Sequence, residues 1–186
     1  MVGVGGVGHM GFWGYLVVGR SDRPLAEEPA LSAVRSELTP HQRRPDGWQV
    51  WRHPSEPDIG DMGALARAMG SPVLFGFVMG SECVAVEAAA PHSGSWYACL
   101  AREPMARHLA PSGLELEELF LPAEDAARRA ADWAAEAGGT AEPDTLLDVL
   151  SARRPESFAE LLFFRLLDGL GIPGVPDLRG VPDPVE

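Results

Sequence analysis

The chain predicts an α+β fold, a mostly antiparallel sheet with a C-terminal helical layer on one face. Three observations carry that prediction. Residues 72–101 read as a meander of three strands joined by tight turns, these strands keep apolar residues on both faces, and three helical patterns follow one another between Pro122 and Leu170.

Val73 to Met79 is an almost unbroken apolar run, β-branched and aromatic and too short for an isolated helix, so it reads as a buried strand. Gly80-Ser81 separates it from Glu82 to Ala89, and a two-residue Gly-Ser link is a hairpin signal. Pro91 to Gly94 supplies the next turn. Ser95 to Leu100 then sets Trp96, Ala98 and Leu100 on one face and Tyr97 and Cys99 on the other. A sheet apolar on both faces needs helices over at least one of them and shielding over part of the other.

Before the meander, Phe12 to Val18 is aromatic and β-branched and reads as a strand ending at Gly19. Leu25 to Leu38 reads as a helix, with Pro24 near its first turn, Glu27 and Glu28 at its positive end, and Pro29 limiting its regularity. His41 to Asp46 is a polar loop, and Asp46-Gly47 turns the chain into Trp48 to Arg52. That strand places Trp48 and Trp51 on opposite faces, one expected in the core and the other at an interface. Met62 to Met69 is a short helix stopped by Gly70.

After the meander, Glu103 to Leu109 reads as a helical turn or short helix. Leu114 to Leu121 carries both strand and helix patterns and reads as an edge element. Pro122 to Ala137 is the clearest helix, alanine-rich, stopped by Gly138-Gly139 and anchored by Trp133. Asp144 to Ala152 and Pro155 to Leu170 follow, the last apolar around most of its circumference and therefore buried on several sides or completed by a partner, with intramolecular burial the preferred reading.

Residues 1–10 read as a flexible extension and 171–186 as a mobile Pro/Gly-rich tail repeating Gly-Val-Pro-Asp, with one domain over 11–170. The GxGxxG match at Gly3, Gly5 and Gly8 has no strand before it and is no dinucleotide site.

Gly11-Phe12-Trp13-Gly14-Tyr15, with Val17-Val18-Gly19-Arg20 and Pro24-Leu25, resembles the opening of small uncharacterised proteins of high-GC bacteria. The Glu82-Cys83-Val84-Ala85-Val86-Glu87 strand and the Ala131-Asp132-Trp133-Ala134 helix are similar too. The resemblance attaches no activity and implies a natural start near Met10.

The chain has no lysine and no asparagine, which excludes a Schiff-base lysine, a P-loop lysine and an asparagine oxyanion hole. Its net charge of −12 is uneven: residues 103–160 hold thirteen acids against five arginines, a balance of −8, while residues 1–102 hold ten acids against eight, a balance of −2. An acidic surface repels phosphate backbones and steers basic proteins, so the expected partner is a basic protein and not nucleic acid. No apolar run reaches membrane-spanning length, and the N-terminus lacks the basic start of a signal peptide, so the expected setting is cytoplasmic.

These features predict a non-enzymatic acidic protein-binding module, of the immunity-type or regulatory kind, with Glu115, Glu117, Glu118 and Trp51 as its contact residues. No catalytic residue and no cofactor is expected. The alternative is a small enzyme or metal-binding protein using His53, Asp58, Asp61 or Glu87. His53, Glu56, Asp58 and Asp61 form a weak metal candidate whose spacing departs from that of an EF-hand loop. Cys83 and Cys99, on neighbouring strands, read as buried thiols. Glu87, inside an apolar strand, needs a partner or solvent, and Arg52 is a candidate if their strands are adjacent.

Overall fold

The computed structural model describes residues 11–174, so the expected extension and most of the expected tail lie outside the described residues. Six strands, β1 Gly14–Arg20, β2 Thr39–Arg43, β3 Trp48–Pro54, β4 Val73–Met79, β5 Cys83–Ala90 and β6 Gly94–Leu100, form one sheet in the order β2-β3-β1-β4-β5-β6. Every pairing is antiparallel. Six α-helices accompany them: α1 Met62–Met69, α2 Arg102–Leu109, α3 Leu116–Leu119, α4 Ala123–Glu136, α5 Pro143–Ser151 and α6 Ala159–Gly169. The α+β expectation holds, with most of the helix in the C-terminal half.

Strand alternation sends side chains to two cores. One face carries Leu16, Val18, Val50, Leu74, Val86, Ala88, Trp96 and Ala98, packed with Trp133, Leu146, Phe163 and Leu166 of the C-terminal helices. Close approach of that layer depends on small residues. Ala126, Ala130 and Ala134 let α4 settle on the sheet, and Trp133 then donates its indole N–H to the Ala89 carbonyl at 3.0 Å. Gly76 makes room for Phe163, since a Cβ there would lie 2.6 Å from the ring.

The opposite face is covered by α1 and by two 3-10 segments, Leu25–Glu27 and Pro29–Glu37, around Val17, Trp51 and Val73. The expected α-helix over Leu25 to Leu38 is thus corrected: Pro29 cannot donate to a continuing ladder, and the buried Leu31 and Val34, three apart, suit the 3-10 repeat. The loop expected at His41 to Asp46 is corrected too, because Thr39–Arg43 pairs with β3 as the sheet's edge despite containing no apolar residue.

The hairpin between β4 and β5 turns over Gly80 and Ser81, both left-handed at φ 60 and 57, with the Glu82 N–H donating to Met79 O at 3.0 Å. This is the primed turn that matches strand twist. At the far edge, Arg44 is 6% exposed and donates to Asp168 at 2.9 Å and to the Ile172 carbonyl, tying the end of β2 to the end of α6. No helix among the described residues is long and apolar enough to cross a membrane.

Candidate functional site

A groove follows the outer edge of β6. Its walls come from β6 itself, from α3, from the extended link Phe120–Pro122 and from the first turns of α4. Glu115 and Glu118 start α3 with a capping box, the Glu115 N–H donating to the Glu118 carboxylate at 2.7 Å. Phe120 then leaves the helix in extended geometry, and the Leu121 N–H donates to the Tyr97 carbonyl at 3.0 Å. Arg129 closes the next carbonyls of the edge, donating to Ser93 at 3.0 Å and Ser95 at 2.9 Å.

With these carbonyls occupied, recognition falls to the side chains lining the hollow. The groove has a volume of about 600 Å³. Tyr97 and Leu119 offer apolar surface at 47% and 43% exposure, beside Phe120. Four acids, Glu117, Glu118, Asp125 and Asp132, surround them with two arginines. Arg128 is held by Asp125, and Arg129 is turned to the β6 carbonyls. Glu117 pairs with Arg102 at 3.6 Å at an exposed position, where water screens the pair. Asp132 makes no hydrogen bond or ion pair among the described residues.

Two of the residues singled out in the sequence, Glu117 and Glu118, therefore line one groove, and Glu115 is the N-cap of α3. Trp51 does not join them. It is 9% exposed, packed in the core beneath the 3-10 segments and α1, with its indole N–H donating to Gln49 at 2.9 Å. Trp48 is 5% exposed, so both tryptophans of β3 are core residues, because each sheet face has its own cover. Tyr97, Leu119, Phe120 and Asp132 were not legible as a site: their positions in the chain do not show that the link after α3 runs along the β6 edge.

The alternative residues fall in two places: Asp58, Asp61 and Glu87 lie near one another, and His53 stands apart. His53 is 1% exposed, with Nδ1 2.6 Å from the Pro54 carbonyl and its ring 5.8 Å from that of Tyr15. Glu87 lies three strand spacings away, about 14 Å across the sheet. Asp61 caps α1, accepting from Ala64 at 2.9 Å, and Asp58 accepts from Gly60 at 2.7 Å. Glu56 is exposed. Among the described residues no three of His, Cys, Asp and Glu gather as a metal site.

Glu87 does not meet Arg52, since β1 and β4 separate their strands; Arg52 lies over the Phe12 ring instead. Glu87 Oε1 accepts from the Met62 N–H at 3.2 Å and from the Tyr97 hydroxyl at 3.4 Å. Burial, and then the nearby Asp61 and Asp58, push its pKa above the ordinary glutamate range against those two hydrogen bonds. Burial holds the Cys83 and Cys99 thiols up to about 12 and about 11. Comparison with protein families, curated proteins and solved structures finds no match to the chain.

Proposed function

We propose that the chain is a non-enzymatic acidic binding module that seats a basic segment of a partner protein in the groove between β6 and α4, as an immunity-type or regulatory inhibitor does. One observation carries this reading: Tyr97, Leu119 and Phe120 line the same groove as the carboxylates Glu117, Glu118 and Asp132. Apolar surface supplies affinity, and the carboxylates select arginine- or lysine-bearing sequences and speed the encounter. The −8 balance of residues 103–160 extends the same field beyond the groove.

A labelled peptide alternating arginine and leucine tests it by fluorescence anisotropy. Binding is expected to weaken as salt rises from about 0.05 to 0.3 M. It is expected to fall about 10- to 100-fold in the combined Glu117→Gln, Glu118→Gln, Asp132→Asn variant. The amide introduced by Glu118→Gln retains an oxygen for the Glu115 N–H, so α3 keeps its cap. Binding unchanged in that variant would overturn the reading.

A further inference from the structure

On the α1 face of the sheet, α1 lies over β4 and β5 and leaves a neighbouring strip half-open. The register of the strands dictates what the strip contains. Phe75 and Tyr97 stand directly beside Glu87 on its two sides, and Ala85 is next along β5 on the same face. Tyr15 packs edge-on to Phe75 at 5.1 Å and tilts against Phe77 at 4.8 Å. A carboxylate thus sits between Phe75 and Tyr97, with Phe77 and Tyr15 farther along the same face. Its Oε1 is engaged, while Oε2 accepts nothing from the described residues.

Acids and arginines both border this strip: Asp61 caps α1 beside Glu87, while Arg102 donates to Cys99, next to Tyr97 along the same face of β6, at 3.9 Å. Burial is the first cause that raises the pKa of Tyr15, Tyr97 and Glu87; Asp58 adds to it at Tyr15, Glu87 and then Asp61 at Tyr97, and Asp61 and Asp58 at Glu87. Among the described residues, none of Glu87, Asp58 and Asp61 enters an ion pair. A half-buried carboxylate that enters no ion pair among the described residues, flanked by aromatic side chains, is the chemistry that recognises a desolvated organic cation. A second copy of this chain is a poor occupant, because each copy carries −12. A hydrated metal ion gains nothing from aromatic walls.

We propose that the strip of Tyr15, Phe75, Phe77 and Tyr97 around Glu87 receives one arginine side chain of the basic partner, its guanidinium stacked on an aromatic face and hydrogen-bonded to Glu87. Arginine suits the site better than lysine, since its planar fork combines stacking with directed hydrogen bonds to a carboxylate. Tyr97 also lines the groove, so the strip and the groove are continuous. The inference rests on the groove reading: the arginine flanks the segment held there.

Nitrogen-15 NMR of the full chain with N-acetyl-arginine amide tests this, with N-acetyl-citrulline amide as the neutral control. Saturable shifts at Met62 and Tyr97 are expected with the arginine probe only. Glu87→Gln is expected to weaken them about ten-fold, the fold being preserved because the amide oxygen still accepts from Met62. Tyr97→Leu, at an exposed position, is expected to weaken them several-fold while leaving Glu87 in place. Absence of shifts, equal shifts with citrulline, or shifts unaffected by both variants would overturn the proposal. The groove-neutralised variant separates the two readings. It is expected to bind the arginine probe as the wild type does while losing the basic peptide; if it keeps the peptide, the groove reading fails, whatever the small probe does.

Discussion

Tyr97 and Glu87 face each other across β6 and β5, the phenol donating to the carboxylate at 3.4 Å. The same ring walls the groove at the sheet edge, so one exposed residue joins the acidic hollow to the half-open aromatic strip. Its position follows from strand alternation. Trp96 and Ala98 turn into the core of the C-terminal helices, and Tyr97 between them is left to the other face and to water.

Leu119 gives the cleanest separation of binding from folding. It is exposed at the end of a short helix, so Leu119→Ser is expected to change stability by no more than about 0.5 kcal/mol. The same change is expected to weaken the arginine–leucine peptide about ten-fold, because it removes apolar contact from the groove. Denaturation and anisotropy on one preparation check both.

Glu87 makes stability depend on pH in a particular direction. Its folded pKa lies above the unfolded value, so the folded state binds the proton more tightly in the window between them. Its contribution is most favourable below the unfolded pKa and is lost as pH rises through the folded one. Glu87→Gln is therefore expected to raise the Tm at neutral pH relative to wild type, with the advantage vanishing below about pH 4. Paired melts across that range read the difference directly.

Arg44 and Asp168 join residues far apart in the chain, and the arginine side chain is 2% exposed against 47% for the aspartate. Asp168→Ala is expected to cost about 2 kcal/mol, below the full penalty for a buried pair because the carboxylate is half in water. Asp125→Ala breaks a pair with both partners exposed and is expected to cost no more than about 0.5 kcal/mol. Urea denaturation of the two variants gives the comparison.

Trp133 is fully buried and hydrogen-bonded to Ala89. Trp133→Phe loses that bond and leaves unfilled volume against Trp48, whose ring centre is 5.8 Å away. A loss of about 2–3 kcal/mol is expected from the cavity and the unpaired carbonyl together, measured by the same method.

Cys83 and Cys99 are buried and free, with thiols raised to about 12 and about 11. Neither is expected to react with iodoacetamide at pH 8 in the native protein, and both are expected to react in denaturant. Mass spectrometry after timed labelling counts the adducts.

The meander was legible because a strand apolar on both faces announces itself as an apolar run bounded by glycine and serine, as Val73 to Met79 does before Gly80-Ser81. Helix α4 was legible through its alanines and Trp133. β2 was not: Thr39–Arg43 is an edge strand whose pairing is set by β3, and nothing in five polar or imino residues records that neighbour. The carboxylates Glu117 and Glu118 were legible as acidic surface, but the groove was not. It depends on Leu121 reaching Tyr97, a contact between segments that local pattern does not connect. Trp51 was misread for a related reason, since an alternating strand shows two faces without showing that both are covered.

The most direct test of the central claim is parallel capture from the native host with the wild-type chain and with the groove-neutralised Glu117→Gln, Glu118→Gln, Asp132→Asn variant. Each capture is read by quantitative mass spectrometry at about 0.05 and 0.3 M salt. The groove account predicts a basic protein held by the wild type at low salt, released at the higher salt, and missing from the variant. The same proteins held equally by both chains, at either salt, would contradict it.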